Sequence, residues 1–157
     1  MIKILFVCHG NICRSPMAEF IFKDMVNKQG IADKFYISSA ATSTEEIWNG
    51  VGNPVYPPAK AELARHGIYC EGKRAVQLQK SDYDKYDYLI GMDEMNIRNI
   101  ERITGRKGEK IVMLLEYTGQ SKSIRDPWYS NNFSETYNDI VKGCEAFLHY
   151  LKKKGMM

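Results

Sequence analysis

The sequence predicts an α/β fold, a three-layer sandwich whose central, twisted, four-stranded parallel sheet carries helices on both faces. Short runs rich in β-branched and aromatic residues alternate along the chain with longer segments whose apolar residues recur at helical spacing. Such alternation is typical of parallel strands joined by crossover helices. The length of 157 residues fits one domain. We therefore expect a single domain over residues 1–157.

Four short apolar runs, each followed by a polar or glycine-containing segment, are the predicted strands. They are residues 2–7, 35–39, 88–92 and 111–115. The carboxyl ends of parallel strands meet at one edge of a sheet, and ligands of such folds bind beyond that edge. Cys8 directly follows the first strand, so we expect it at the ligand-binding edge.

Capping residues mark the ends of the predicted helices. The helices are residues 16–29, 57–66, 94–104 and 134–154. Ser15 is suited to be the N-cap of the first helix, with Pro16 at the first helical position, and Gly30 ends it. Asp93 is expected to cap the third helix. Residues 40–56 are predicted to be a loop, and loops of that length are often functional.

Composition and charge exclude several classes of protein. The formal net charge of +3 is too weak to indicate nucleic acid or a membrane surface as a partner, and no apolar run is long enough to span a bilayer. The apolar N-terminal run is too short for the core of a signal peptide. We therefore expect a cytoplasmic protein, in which structural disulfides are rare. The cysteines and histidines show no metal-ligand spacing, so no metal site is expected.

The segment between the first strand and the first helix carries the candidate chemistry. It is Cys8, His9, Gly10, Asn11, Ile12, Cys13, Arg14 and Ser15. A loop that enters a helix can direct several backbone N–H groups inward as an anion cradle. Gly10 permits a tight turn and Asn11 tolerates a left-handed conformation, while Arg14 can bind two phosphate oxygens. The same donors stabilise a thiolate at Cys8, and Ser15 can donate its hydroxyl to that sulfur.

A thiolate within a phosphate cradle predicts nucleophilic attack on phosphorus, and the leaving group then needs a proton. Asp126 is the candidate general acid, because Pro127 restricts it to extended geometry that aims its carboxylate. Trp128 and Tyr129 are suited to wall a slot for a phenyl ring. The remaining cysteines, Cys70 and Cys144, are interpreted as bystanders.

These motifs, in this order, resemble those of the low-molecular-weight protein tyrosine phosphatases along nearly the whole chain. Residues 7–19 resemble the phosphate-binding loop and first helix of that family, and residues 126–129 resemble its general-acid loop. Shorter similar segments are residues 38–40, 66–68 and 92–94. The resemblance implies hydrolysis of phosphotyrosine in protein substrates through a phosphocysteine on Cys8, with Asp126 as acid and then base and without a cofactor or metal.

The resemblance also implies roles for residues outside the loop. The residues expected to hold Asn11 in a strained conformation are Ser15, Ser39 and His66. The residues expected to form the substrate pocket are Trp48, Trp128 and Tyr129, with His9 at the rim. Cys13 resembles a second loop cysteine that forms a reversible disulfide with the nucleophile on oxidation. The expected oligomeric state is a monomer or a weak homodimer.

Two alternative functions remain open. A thiol-dependent arsenate reductase shares this fold and loop, but its chemistry needs a further pair of cysteines, and only Cys70 lies in the middle of this chain. A non-catalytic binder of phosphorylated ligands needs the cradle but no acid. Asp126, in its Asp-Pro context, favours the enzyme.

Overall fold

The computed structural model describes residues 1–156 and contains a central parallel sheet. The strands are β1 (Ile2–Cys8), β2 (Phe35–Ala41), β3 (Ile47–Trp48), β4 (Val51–Gly52), β5 (Tyr88–Gly91) and β6 (Ile111–Met113). Four of them form the parallel sheet in the order β2-β1-β5-β6, whereas β3 and β4 form a small antiparallel hairpin. The predicted four-stranded parallel sheet is confirmed, and β1 has a paired strand on each side.

Helices surround this sheet. They are α1 (Arg14–Lys28), α2 (Pro57–Arg65), α3 (Asp82–Lys85), α4 (Glu94–Thr104), α5 (Pro127–Ser130) and α6 (Phe133–Lys153). The chain also forms 3-10 turns at Ala32–Lys34 and Leu114–Thr118, the second of which ends β6 two residues earlier than predicted. No helix within residues 1–156 is both long and apolar enough to cross a membrane.

Neighbouring residues of β1 face opposite layers of helices. Phe6 belongs to the larger apolar core, together with Phe22 of α1 and Phe147 of α6. Leu5 belongs to a smaller core that includes Ile100 of α4. Because side chains alternate along a strand, β1 is buried on both faces and its carboxyl end is held rigidly.

The first helix begins earlier than predicted. α1 starts at Arg14 with Cys13 in the N-cap position, and no side chain caps it. Ser15 is not the N-cap because its hydroxyl group contacts the side chains of Cys8 and Asn11 in the preceding loop. The free N–H groups of the helix N-terminus therefore begin directly at the loop.

Two segments predicted as loops contain regular structure. Asp126 is the N-cap of the single-turn helix α5, with Pro127 at its first position, which is the arrangement that these two residue types favour. Within residues 40–56, the pair Asn49-Gly50 connects β3 to β4 with φ values of 50° and 75°. Asn-Gly is a strong signal for a two-residue hairpin turn, so this hairpin was recognisable in the sequence.

Candidate active site

Cys8 is the last residue of β1 and lies buried at the N-terminus of α1. Its Sγ atom is 3.0 Å from Ser15 Oγ, and it accepts a hydrogen bond from the Ser15 backbone N–H at an N···S distance of 3.4 Å. A helix N-terminus and hydrogen-bond donors both stabilise negative charge. The structure therefore places donors and a helix N-terminus directly at the Cys8 sulfur.

Asn11 has a left-handed backbone, with φ of 59°. Its buried amide nitrogen Nδ2 donates to Ser15 Oγ at 2.7 Å and to Ser39 Oγ at 3.0 Å. Its Oδ1 atom accepts from the backbone N–H of Val76 at 3.0 Å. The structure thus brings Asn11 together with two of its three expected supports, and these contacts hold a conformation that non-glycine residues rarely adopt.

The third expected support, His66, does not hold Asn11. His66 Nε2 lies 3.1 Å from Glu62 Oε2, and the imidazole stacks on the Tyr137 ring with 3.7 Å between centroids. These contacts place His66 where α2 meets α6 rather than at the phosphate-binding loop. The backbone N–H of Val76 takes the position next to Asn11 instead, a contact that no side-chain pattern reveals.

Gly10 is required for a close approach rather than for a positive φ. A Cβ atom at this position would lie 3.2 Å from Cγ of Glu46. Glu46 is held over the loop because its Oε1 accepts from Asn53 Nδ2 at 3.1 Å. Beside it, His9 Nε2 lies 3.0 Å from Oε2 of Glu45. The segment before β3 therefore places two carboxylates at the rim, which the sequence analysis missed.

Arg14 is buried and held by partners from two other segments. Its Nη1 atom donates to Asp93 Oδ2 at 2.7 Å and to the Ile124 carbonyl oxygen at 2.9 Å. Burial disfavours the charged guanidinium, but the charges of Cys8 and Asp93 outweigh burial, so the pKa of Arg14 is raised above its ordinary value. The guanidinium is therefore a permanent, fixed cation at the floor of the site.

Asp93 is a second residue that the sequence analysis did not assign to the site. It follows the carboxyl end of β5, and its Oδ1 caps α4 by accepting from the Asn96 backbone N–H at 2.8 Å. Its Oδ2 is thereby free to bind Arg14. The available signal was its position at the carboxyl end of a predicted parallel strand.

Asp126 lies next to Arg14 with its two oxygens in different environments. Oδ1 accepts from the Trp128 backbone N–H at 3.0 Å, which fixes the carboxylate as the cap of α5. Oδ2 is 3.6 Å from Nη2 of Arg14, and the side chain remains 29% exposed. One oxygen is thus tethered, while the other can exchange a proton with a ligand in the pocket.

These groups line a pocket of about 210 Å³. Its lining residues are Cys8, His9, Gly10, Ile12, Cys13, Arg14, Glu45, Glu46, Asp126, Trp128 and Tyr129. Trp128 also packs on the Tyr56 ring, with 5.0 Å between centroids. The pocket is narrow, with a cation and a thiol at its floor and aromatic side chains at its mouth.

Trp48 is not among the residues that line this pocket. It lies in the β3–β4 hairpin, and 80% of it is exposed. The assignment of Trp48 to the aromatic wall stays a prediction, while Glu45 and Glu46, which directly precede β3, line the pocket.

All four cysteines are free thiols in buried positions. Burial raises the pKa of Cys13, and the charge of Cys8 adds to the effect. Burial likewise raises the pKa of Cys70 and of Cys144. Within residues 1–156, no group of three His, Cys, Asp or Glu side chains is arranged to hold a metal ion.

Comparison with known proteins assigns the family. The family model for low molecular weight phosphotyrosine protein phosphatases matches residues 3–157. The chain belongs to this family. The enzyme is 40% identical over 157 residues to the low molecular weight protein-tyrosine-phosphatase YfkJ of Bacillus subtilis, with 98% of each chain covered. It is also 40% identical over 152 residues to the human low molecular weight phosphotyrosine protein phosphatase, with 93% of each chain covered.

The structural comparison agrees with the sequence comparison. The crystal structure of YfkJ from Bacillus subtilis superimposes with a TM-score of 0.91 at 39% identity, covering 98% of this chain and 96% of that chain. Phosphatases are hydrolases, so family membership makes this protein a hydrolase.

Proposed function

We propose that this enzyme hydrolyses phosphotyrosine in proteins, and small aryl phosphates, through a phosphocysteine intermediate on Cys8. The observation that supports the proposal most strongly is the convergence of three groups on one pocket: the Cys8 thiol, the Arg14 guanidinium and the Asp126 carboxylate. A nucleophile, an anion-binding cation and a proton donor are the components that this reaction requires.

In the first step, the Cys8 sulfur attacks phosphorus, so that an S–P bond forms while the bond from phosphorus to the aryl oxygen breaks. Arg14 and the backbone N–H groups of the loop stabilise the charge on the equatorial oxygens. Asp126 donates its proton to the departing phenolate. The tether between Oδ1 and the Trp128 N–H keeps Oδ2 directed at the pocket for this transfer.

In the second step, water attacks the phosphocysteine and releases inorganic phosphate. Asp126, now a carboxylate, takes a proton from that water as a general base. The S–P bond breaks and the sulfur leaves as a thiolate. Ser15 donates to that sulfur through its backbone N–H, and its hydroxyl lies 3.0 Å from Sγ, so the leaving thiolate is stabilised.

Pocket shape favours an aryl phosphate. The Cys8 and Arg14 side chains lie buried at the floor, whereas Trp128 and Tyr129 stand at the mouth and are 57% and 86% exposed. A phosphorylated tyrosine reaches such a floor more easily than a phosphorylated serine, because its ring separates the phosphate from the main chain. Aromatic side chains at the mouth provide faces on which that ring can pack.

The same site supports a proposal for oxidation. A peroxide would oxidise the Cys8 thiolate to a sulfenic acid, and the Cys13 thiol would then attack that sulfur, forming a disulfide and releasing water. Cys13 lines the same pocket as Cys8. A thiol-dependent reductant would return both cysteines to the reduced state.

The proposed function is tested with p-nitrophenyl phosphate and a phosphotyrosyl peptide. We expect the enzyme to hydrolyse both, Cys8→Ser to be inactive, and acid-quenched wild-type reactions to contain Cys8 carrying a phosphoryl group by mass spectrometry. Full activity of Cys8→Ser would exclude the mechanism. Rapid thiol-coupled turnover of arsenate would favour a reductase, and tight phosphate binding without hydrolysis would favour a non-catalytic binder.

A further inference from the structure

A buried ion pair lies behind the phosphate-binding loop. Glu19 belongs to α1, and Lys73 belongs to the segment after α2; their side chains are only 5% and 10% exposed. Lys73 Nζ lies 3.6 Å from Glu19 Oε1 and donates to the Ser39 carbonyl oxygen at 3.0 Å. Burying charges is unfavourable even when they are paired. The pair therefore invites a functional explanation beyond stability.

A continuous series of hydrogen bonds connects Glu19 to Cys8. Ser39 Oγ donates its single hydrogen to Glu19 Oε1 at 2.5 Å, so it accepts from the Asn11 amide nitrogen at 3.0 Å. That nitrogen donates its other hydrogen to Ser15 Oγ at 2.7 Å. The hydroxyl hydrogen of Ser15 is then directed to Cys8 Sγ at 3.0 Å.

The Glu19 carboxylate and the Val76 N–H together fix the direction of every bond in this series. A carboxylate only accepts hydrogen bonds, so the Ser39 hydroxyl must donate to it, and the Asn11 amide donates both toward Ser39 and toward Ser15. The Oδ1 atom of Asn11 is occupied by the Val76 N–H, which fixes the orientation of the amide. The series thus presents a hydroxyl donor to the nucleophilic sulfur.

A series with an anion at each end needs a neighbouring cation. The Glu19 carboxylate and a Cys8 thiolate repel each other across a partly dehydrated interior. Lys73 lies next to the Oε1 atom of Glu19. Lys23, whose side chain is 42% exposed, binds the Oε2 atom at 2.5 Å. Burial lowers the pKa of Lys73 below its ordinary value, and the positive charge of Lys23 lowers it further. The negative charges of Glu19 and Cys8 act in the opposite direction.

We propose that Lys73, through its ion pair with Glu19, is a positioning residue that holds this series of hydrogen bonds in place and favours the thiolate of Cys8. Its charge offsets the repulsion between the carboxylate and the sulfur, and its bond to the Ser39 carbonyl oxygen holds β2 against the loop. The proposal rests on the proposed function only in the measurement of hydrolysis. The reactivity of Cys8 toward an alkylating reagent tests it independently of phosphatase activity.

The test compares Lys73→Met, Lys73→Gln and Lys73→Arg with wild type. The matched control is Lys60→Met, which removes a lysine from an exposed ion pair with Glu71 at 3.2 Å. The first measurement is the rate of Cys8 alkylation by iodoacetamide between pH 4 and pH 9, followed by mass spectrometry. The second is kcat and KM for p-nitrophenyl phosphate, and the third is the melting temperature.

Removal of the charge should move the pH midpoint of alkylation upward. For Lys73→Met and Lys73→Gln, we expect a shift of about one pH unit, which slows alkylation about tenfold below both midpoints. At a pH below both midpoints, we expect kcat to fall by a similar factor with little change in KM. Lys73→Arg, which retains the charge, should restore most of the wild-type profile, and Lys60→Met should match wild type.

A purely structural role predicts a different pattern. A lower melting temperature for Lys73→Met with an unchanged alkylation profile and unchanged kcat would overturn the proposal. If Lys73→Met does not fold, Lys73→Gln and Lys73→Arg carry the test, and equal alkylation profiles for these two would also overturn it. A wild-type enzyme that fails to hydrolyse aryl phosphates would contradict the proposed function, while the alkylation profiles would still decide the role of Lys73.

Discussion

The two carboxylate oxygens of Asp126 make two unlike contacts, which suit the two roles that we propose for it. The N–H of Trp128 binds Oδ1 and makes the carboxylate part of a helix cap, so its orientation is fixed before substrate arrives. The Arg14 guanidinium lies 3.6 Å from Oδ2, which leaves that oxygen close to the site but without a short hydrogen bond. An acid with one tethered and one free oxygen loses little freedom when it transfers a proton.

Asp126→Asn should separate proton donation from the other parts of catalysis. Asparagine is also a good N-cap residue, so α5 should persist while the proton donor is lost. We expect kcat/KM for phenyl phosphate, which reports the step in which the phenolate leaves, to fall by roughly 10²–10⁴, the usual contribution of general acid catalysis. The loss of kcat/KM should be smaller for p-nitrophenyl phosphate, because its leaving group is a weaker base. An equal loss of kcat/KM for both substrates would contradict the role of Asp126 as the acid.

Residues close together in sequence could be assigned to one loop, whereas the contacts that Val76 and Asp93 make with that loop could not be predicted. Cys8, Asn11 and Ser15 form one short loop, whose properties follow from local conformation and helix position. The loop contacts made by Val76 and Asp93 join separate segments. Such contacts depend on strand order and on backbone groups, and neither leaves a pattern in the residues concerned.

At the scale of elements, the turn from β5 into α4 connects helix capping to anion binding. Asp93 uses one oxygen to cap the helix and the other to hold Arg14. Its capping role was predicted from the sequence because aspartate is a favoured N-cap residue, and the structure agrees. Its second contact was not predicted, since it depends on β5 lying next to β1.

Asp93→Asn should keep the cap and weaken the hold on Arg14. The asparagine oxygen can still accept from the Asn96 N–H, but an amide nitrogen replaces the oxygen that faces Arg14. We expect kcat/KM for p-nitrophenyl phosphate to fall about 10–100-fold, as charge-assisted hydrogen bonds contribute roughly 1.5–3 kcal/mol. The melting temperature should stay near that of wild type, whereas Asp93→Ala should lower both. Unchanged kinetics for Asp93→Asn would exclude this role.

For the whole molecule, the order of strands assembles the site from segments that are distant in sequence. β1 lies between β2 and β5, so the loop after β1 meets Ser39 on one side and Asp93 on the other. Asp126 reaches the same edge from the segment before α6. Alternating strands and helices predict a parallel sheet but not the order of its strands, and this limits what the sequence can say about the site.

Because several segments meet at the proposed anion site, an oxyanion bound there should stabilise the entire fold. A ligand that binds only the folded state adds RT ln(1 + [L]/Kd), or about 1.4 kcal/mol when phosphate is present at ten times its Kd. For a chain of this length, that corresponds to a rise of roughly 2–6 °C in the melting temperature. We expect inorganic phosphate to produce this rise in the wild-type enzyme, measured by differential scanning calorimetry at constant ionic strength.

Two variants distinguish specific binding from a general effect of salt. Arg14→Met removes the buried guanidinium that we propose binds the anion, so its melting temperature should not respond to phosphate. Lys60→Met removes an exposed cation on α2, so it should respond as wild type does. If phosphate raised the melting temperature of all three proteins equally, it would act through the solvent. Binding at the end of β1 would then contribute nothing to the stability of the fold.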